Sequence, residues 1–204
     1  MSRRAADAVI AEQRVRVNSA PGQVGQEIHP DDTVTLDGQA LIAPEQHQTI
    51  MLNKPAGYVC SRHGQGSQTI YDLLPTEYHR LKPVGRLDKD SSGLLLLTDD
   101  GRLANQLTHP SFQKEKVYEI ELDKPLTDAD KTALQQGVQL EDSPSRLAVT
   151  GTGPRYQVRL SEGRNRQIRR TFAALSYTVT KLRRTHFGPY TLDQLPEAQW
   201  KSVA

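Results

Sequence analysis

One loop of this chain sets two carboxylates between glycines and then runs straight into an apolar segment. It reads Gly85, Arg86, Leu87, Asp88, Lys89, Asp90, Ser91, Ser92, Gly93, and continues as Leu94 to Leu97 and Thr98. A charge at the mouth of a buried strand is tolerated only where it is exposed or paired. A carboxylate held there can serve as a nucleophile or a general base. Three other readings fit the same residues. Asp88, Asp90, Ser92 and Gly93 match the first half of a calcium-binding helix–loop–helix. That loop needs Glu at its twelfth position, which here is Asp99, and an entering helix where Pro83 and Gly85 stand. An Asp-x-Asp run followed by Ser also occurs in phosphatases with an aspartyl nucleophile, but those place the apolar strand before the aspartates. The plainest reading is a surface network of ion pairs among Arg86, Asp88, Lys89 and Asp90, each pair worth little.

Two further segments carry residue types suited to the same chemistry. Tyr118 lies in Lys116-Val117-Tyr118, where its ring is either a platform for a planar ligand or an ordinary sheet tyrosine with a wet hydroxyl. The run Glu162-Gly163-Arg164-Asn165-Arg166-Gln167-Ile168-Arg169-Arg170 opens a helix on which Ile168 shares a face with Phe172 and Leu175. From Arg155 to Arg184 nine basic residues stand against one acid, Glu162. Such clustering points to a polyanion more strongly than the net charge of +2 does. Lys54, in Asn53-Lys54-Pro55-Ala56-Gly57, fits a phosphate contact and a structural cation equally well.

These residues must be positioned by a mixed set of short elements. A helix is predicted over residues 2–12, with Ala6, Val9 and Ile10 on one side. Strands follow at 15–17 and 33–36, separated by the turn Asn18 to Gly22. After a polar linker at 43–47 come a strand at 49–52, a buried strand at 94–98 and a helix at 103–107 stopped by Pro110. The segment Lys116 to Leu122 alternates cleanly, with Tyr118, Ile120 and Leu122 on one face. Thr127 caps a helix over 128–136. Strands at 146–150 and 155–160, a helix over 165–176 and a strand at 178–184 complete the pattern. Strands outnumber helices and are mostly joined by hairpins, so the expected class is α+β with a mixed, largely antiparallel sheet.

Composition narrows the function classes. The 204 residues suffice for one ordinary domain and a small one. A single cysteine, Cys60, leaves no disulfide framework or cysteine metal site, which fits a cytoplasmic protein. The N-terminus lacks the apolar stretch of a signal peptide, and the run Leu94 to Leu97 is too short to span a bilayer, so no membrane partner is expected.

The three motifs, in this order and spacing, resemble the pseudouridine synthases that modify ribosomal RNA, of the RsuA/RluB type. The resemblance spans essentially the whole chain and includes the bend at Lys54-Pro55-Ala56-Gly57 and the C-terminal His186-Phe187-Gly188-Pro189-Tyr190. It implies a catalytic domain over 48–204 and a small RNA-binding module over 1–45. That module is similar to the domain named after ribosomal small-subunit protein four, with Ser2, Arg3, Arg4 and Arg14 as its RNA contacts. The family module has one more helix ahead of Ser2, so the expectation is either a module trimmed at its start or a reduced form of it.

The resemblance implies that Asp88 is the catalytic aspartate, that Tyr118 stacks on the target base, and that Arg169 pairs with Asp88. Ile168 would lie beneath the base, and Arg86, Arg164, Arg166, Arg170 and Lys54 would bind substrate. Isomerising uridine breaks a glycosidic bond, turns the base and rejoins it through carbon. Nothing is oxidised and no group is imported, so no cofactor and no metal are expected. The base must leave its stack to reach Asp88. The expected partner is ribosomal RNA or a pre-ribosomal particle, with 23S favoured over 16S by the Glu162–Arg166 run, and the expected working unit is a monomer. A catalytically idle RNA-binding or assembly factor on the same fold is the alternative, and it would have lost Asp88, Tyr118 or Arg169.

Overall fold

The computed structural model describes residues 1, 3–42 and 46–203. The chain divides into two compact units, Met1–Gln46 and His47–Ala204.

In the first unit, α1 (Arg3–Ala11) is followed by β1 (Val15–Val17), β2 (Ala20–Pro21), β3 (Val34–Leu36) and β4 (Gln39–Ala40). The four strands form an antiparallel sheet in the order β2-β1-β3-β4. As expected, Ala6, Val9 and Ile10 lie on the more protected side of α1. Val17 is the one buried hydrophobic residue among those described here, and Val24, Ile28, Leu41 and Ile42 are exposed. This unit therefore has little core of its own.

The second unit is built on a nine-stranded mixed sheet. Its strands are β5 (Thr49–Lys54), β6 (Lys82–Pro83), β7 (Ser92–Thr98), β8 (Lys116–Leu122), β9 (Ala148–Thr152), β10 (Arg155–Leu160), β11 (Val179–Phe187), β12 (Tyr190–Thr191) and β13 (Trp200–Ser202). Along the main path the order is β13-β5-β7-β11-β8-β10-β9, with β6 beside β7 and β12 beside β11. Helices α2 (Gly101–Thr108), α3 (Asp128–Gln136) and α4 (Gln167–Ala174) flank it. The class is α+β, as the pattern predicts.

The four-leucine run makes sense once both sheet faces are covered. Successive strand residues point to opposite faces. Leu95 and Leu97 enter a core with Ile50, Leu52, Ile120, Leu134 and Phe172, while Leu94 and Leu96 enter a second core with Met51, Leu107 and Phe187. Asp100 caps α2 by accepting from the Arg102 and Leu103 amides, and Thr127 caps α3 by accepting from the Asp130 amide. The short strands β2, β4, β6, β12 and β13 escape sequence patterning because two or three residues carry no period.

One strand pair decides where the loop of Asp88 sits. Among the described strands only β7 and β11 pair in parallel, with Arg183 opposite Ser92 and Arg184 opposite Gly93. Gly93 adopts φ +103°, and a Cβ there would lie 2.2 Å from the Arg184 carbonyl oxygen. Only glycine permits both the conformation and the approach. Gly93→Ala is expected to destabilise the protein by about 3 kcal/mol. Chemical denaturation measures this, and a loss below about 0.5 kcal/mol would show that the crossing is slack.

Candidate active site

The Asp88 loop is pinned from below by a buried ammonium. Lys54 ends β5 with no exposed surface. Its Nζ donates to the carbonyls of Pro55 at 3.0 Å, Asp88 at 3.1 Å and Ser91 at 2.7 Å. Burial pushes its pKa down, while Asp88 and Asp90 nearby oppose the fall. Lys54 is thus a structural cation. Its expected role as a substrate contact is corrected, because all three of its donors are spent on the protein. Further ties come from the Gly57 amide donating to the Lys89 carbonyl at 2.7 Å and from Cys60 Sγ contacting Leu87.

Above this anchor Asp88 opens onto a cavity of about 1110 Å³, shared with Arg86, Tyr118, Arg166 and Ile168. The Asp88 side chain keeps 30% of its surface exposed. Tyr118 and Ile168 are buried apolar walls. Tyr118 stands on β8 opposite Arg184 of β11 and Val158 of β10. Its hydroxyl meets no protein partner among the described residues. Arg86 is exposed on the cavity wall.

The arginines are distributed differently from the expectation. Arg169 does not reach Asp88. Its fork donates to the Val179 carbonyl at 2.7 Å and the Asp90 carbonyl at 2.9 Å, and Nε lies 3.3 Å from the Asp90 carboxylate. The cation beside Asp88 is Arg166, whose NH1 lies 3.7 Å from Oδ2. Arg166 also grips Asp90 in a two-pronged pair at 3.0 and 2.9 Å. It sits at the start of α4 with φ +45°, a left-handed conformation that costs a non-glycine residue about 1 kcal/mol. Asp90 therefore gathers both arginines beside Asp88. The Asp88–Asp90 loop is closed on guanidinium groups, and an irregular loop instead of a helix leads into it, so the calcium reading fails. Among the described residues no cluster of His, Cys, Asp or Glu could hold a metal ion.

Two more expected substrate contacts prove to be clamps. Arg164 donates to the Ser143 carbonyl at 2.9 Å and the Pro144 carbonyl at 2.9 Å, and pairs with Asp142 at 2.8 Å and Glu162 at 3.3 Å. Arg170 grips Asp142 at 3.1 and 3.0 Å, holding that carboxyl well below the usual carboxylate range. Their common task is to satisfy the polar turn packed on the start of α4. In the first unit Arg14 binds Asp37 at 2.9 and 2.6 Å and Glu12 at 3.1 Å, so its charge is also locally matched. Arg4 is exposed. Ser2 and the side chain of Arg3 lie outside the described residues.

Comparison with known proteins identifies the family. Residues 48–174 match the model of the RNA pseudouridylate synthase family, and the chain belongs to that family. It is 37% identical to ribosomal large subunit pseudouridine synthase B of Pseudomonas aeruginosa, covering 94% of this chain and 53% of that protein. It is also 37% identical to the protein of the same name from Vibrio cholerae, covering 99% of this chain and 67% of that one. The chain thus spans between half and two thirds of the length of these relatives. A crystal structure of a pseudouridylate synthase superposes with TM-score 0.74 at 32% identity, covering all of this chain and 91% of that one.

Two outcomes check the anchoring. Lys54→Met leaves three buried carbonyls without a donor and is expected to cost about 3 kcal/mol, read by urea denaturation. An unchanged midpoint would mean that the ammonium anchors nothing. Arg166 holds the Asp90 carboxyl below its ordinary pKa, and Arg169 adds to this. Such a pair contributes stability above the unfolded carboxylate pKa and loses it as pH falls through the lowered folded value. The stability gap between wild type and Asp90→Asn should therefore persist at neutral pH and close only below about pH 4. A gap independent of pH would overturn the assignment.

Proposed function

We propose that this chain isomerises a uridine of ribosomal RNA to pseudouridine, with Asp88 as the nucleophile. The observation that carries the reading is the placement of a partly exposed carboxylate in one cavity with an aromatic wall, Tyr118, and an apolar one, Ile168. A flipped uracil needs a platform to stack on and a carboxylate at its sugar. Arg166 sets a positive charge 3.7 Å from the Asp88 carboxylate, on the side where the sugar would approach. The reaction needs no cofactor, since the base leaves and returns within one pocket. The Tyr118 ring retains the base while it turns.

The large-subunit RNA is the favoured substrate, because the two relatives above carry that name and nearly the whole of this chain aligns with part of each. Exposed Arg86, on the wall of the cavity, is the cation available to meet the strand carrying the target. Arg4 of the first unit is a second exposed cation for RNA, in keeping with an RNA-binding role for residues 1–45. A single chain supplies every residue named for the site, which supports a monomer as the working unit. A ribosomal substrate places the work in the cytoplasm. Among the described residues no helix is long and apolar enough to cross a membrane.

The decisive assay follows the hydrogen on ring carbon 5, which is displaced when that carbon becomes the glycosidic atom. Tritium should leave 5-labelled uridine in ribosomal RNA lacking pseudouridine when wild type is added, and should stay when Asp88→Asn is added. RNA affinity should change less than about three-fold, because phosphate contacts dominate it. Release by the Asn variant would sink the mechanism. Binding without release by wild type, on naked RNA and on particles alike, would favour the idle assembly factor.

A further inference from the structure

We propose that Lys116 and Arg184 form an anion subsite in the same cavity, taking the phosphate attached to the flipped uridine. This deepens the RNA reading above and rests on it. Arg184 is only 2% exposed. Its Nε donates to the Leu94 carbonyl at 2.8 Å, and its NH2 is buried with no partner. Among the described residues no carboxylate pairs with it. Its guanidinium lies 4.6 Å from the centre of the Phe187 ring, and the Lys116 ammonium lies 5.4 Å from the same ring. Among the described residues the one hydrogen bond of the Lys116 ammonium goes to the Glu162 carbonyl, at 3.4 Å. Both side chains line the cavity that holds Asp88.

The contrast with the neighbouring arginines is what decides. Arg164 is matched by Asp142 and Glu162, and Arg166 and Arg169 are matched by Asp90. Glu162, whose backbone carbonyl Lys116 meets, spends its carboxylate on Arg164 and Gln167. A buried cation without a counterion is costly, so a retained one marks a place where a ligand supplies the charge. Burial pulls the Lys116 pKa down, the charge on Arg184 pulls it further, and the more weakly acting charge of Glu162 opposes the fall. Strand register supplies the rest. Arg184 stands opposite Tyr118, and Phe187 opposite Lys116, so the two cations flank the aromatic platform. A nucleotide whose base lies on Tyr118 carries its phosphate within reach of them, and phosphate is the anion that RNA brings.

Calorimetric titration of the whole chain with uridine 5′-monophosphate and with uridine, at low salt, tests this. Wild type should bind the monophosphate about 10-fold more tightly than the nucleoside, as charge-assisted contacts to phosphate require. Lys116→Gln should shrink that gap to about two-fold while leaving uridine affinity unchanged. Arg184→Met should do the same; should it fail to fold, Lys116→Gln decides alone. Equal affinities in wild type, a gap that survives Lys116→Gln, or no monophosphate binding at millimolar concentration overturns the subsite. A fall in uridine affinity instead would mean that the cations meet the base. The readout needs no turnover. Tritium release without a monophosphate gap therefore sinks the subsite alone, and a gap without release sinks the catalytic reading alone.

Discussion

A buried ammonium holds the candidate site together. Lys54 takes the carbonyls of Asp88 and Ser91, at the two ends of a tight turn, and joins them to its own neighbour Pro55. An ammonium has three donors and no acceptor. Three carbonyls saturate it, so its charge is solvated by the protein instead of by water. Desolvating a cation is expensive, and these bonds offset the cost only while the turn keeps its shape. The position of the Asp88 carboxylate is therefore coupled to the fold of β5 and β7 and not to a mobile surface loop. The Gly93 crossing adds a second constraint, because β7 can approach β11 closely only where no Cβ intervenes.

Over this rigid floor the charges are arranged so that Asp88 is the least encumbered carboxylate. Asp90 lies two residues away and takes the two-pronged grip of Arg166 and the side contact of Arg169. Asp88 receives only the more distant edge of Arg166. A nucleophile gains from a nearby positive field that keeps it ionised, and loses when a close bidentate pair occupies both of its oxygens. Asp90 thus serves as a decoy that fixes the arginines and leaves an oxygen of Asp88 free. The strained backbone of Arg166 fits this division, since the grip of Asp90 offsets the local cost.

Much of this was legible in the amino-acid sequence, and the reasons for the failures are physical. Asp88, Tyr118 and Ile168 converge because each lies in an element with a clear period or boundary signal. The arginines were harder. Sequence displays a charge but not its partner, and Arg164 and Arg170 share partners on the turn around Asp142, twenty or more residues away. Lys54 presented two equal readings because its burial depends on the tertiary cover over β5. Arg184 hid within a basic run, although its strand also carries Leu182 and Phe187, which enter the core. A basic residue between core positions of a strand was the available signal, and counting charges along the chain averaged it away.

The same logic separates holding RNA from handling a base. Exposed cations such as Arg86 can track phosphates at little desolvation cost and without sequence preference. A detached uracil makes a different demand, since it must turn without escaping. In the proposed reaction, ring stacking on Tyr118 would resist escape but permit rotation in plane, because a π-face has no strong directional preference about its normal. An apolar contact at Ile168 would add grip without adding direction. Hydrogen bonds to the ring edge would do the opposite, fixing one orientation and opposing the turn. A pocket walled by an aromatic and an aliphatic side chain, with charged groups kept beside the sugar and phosphate, therefore suits a reaction in which the base must rotate while the ribose stays fixed.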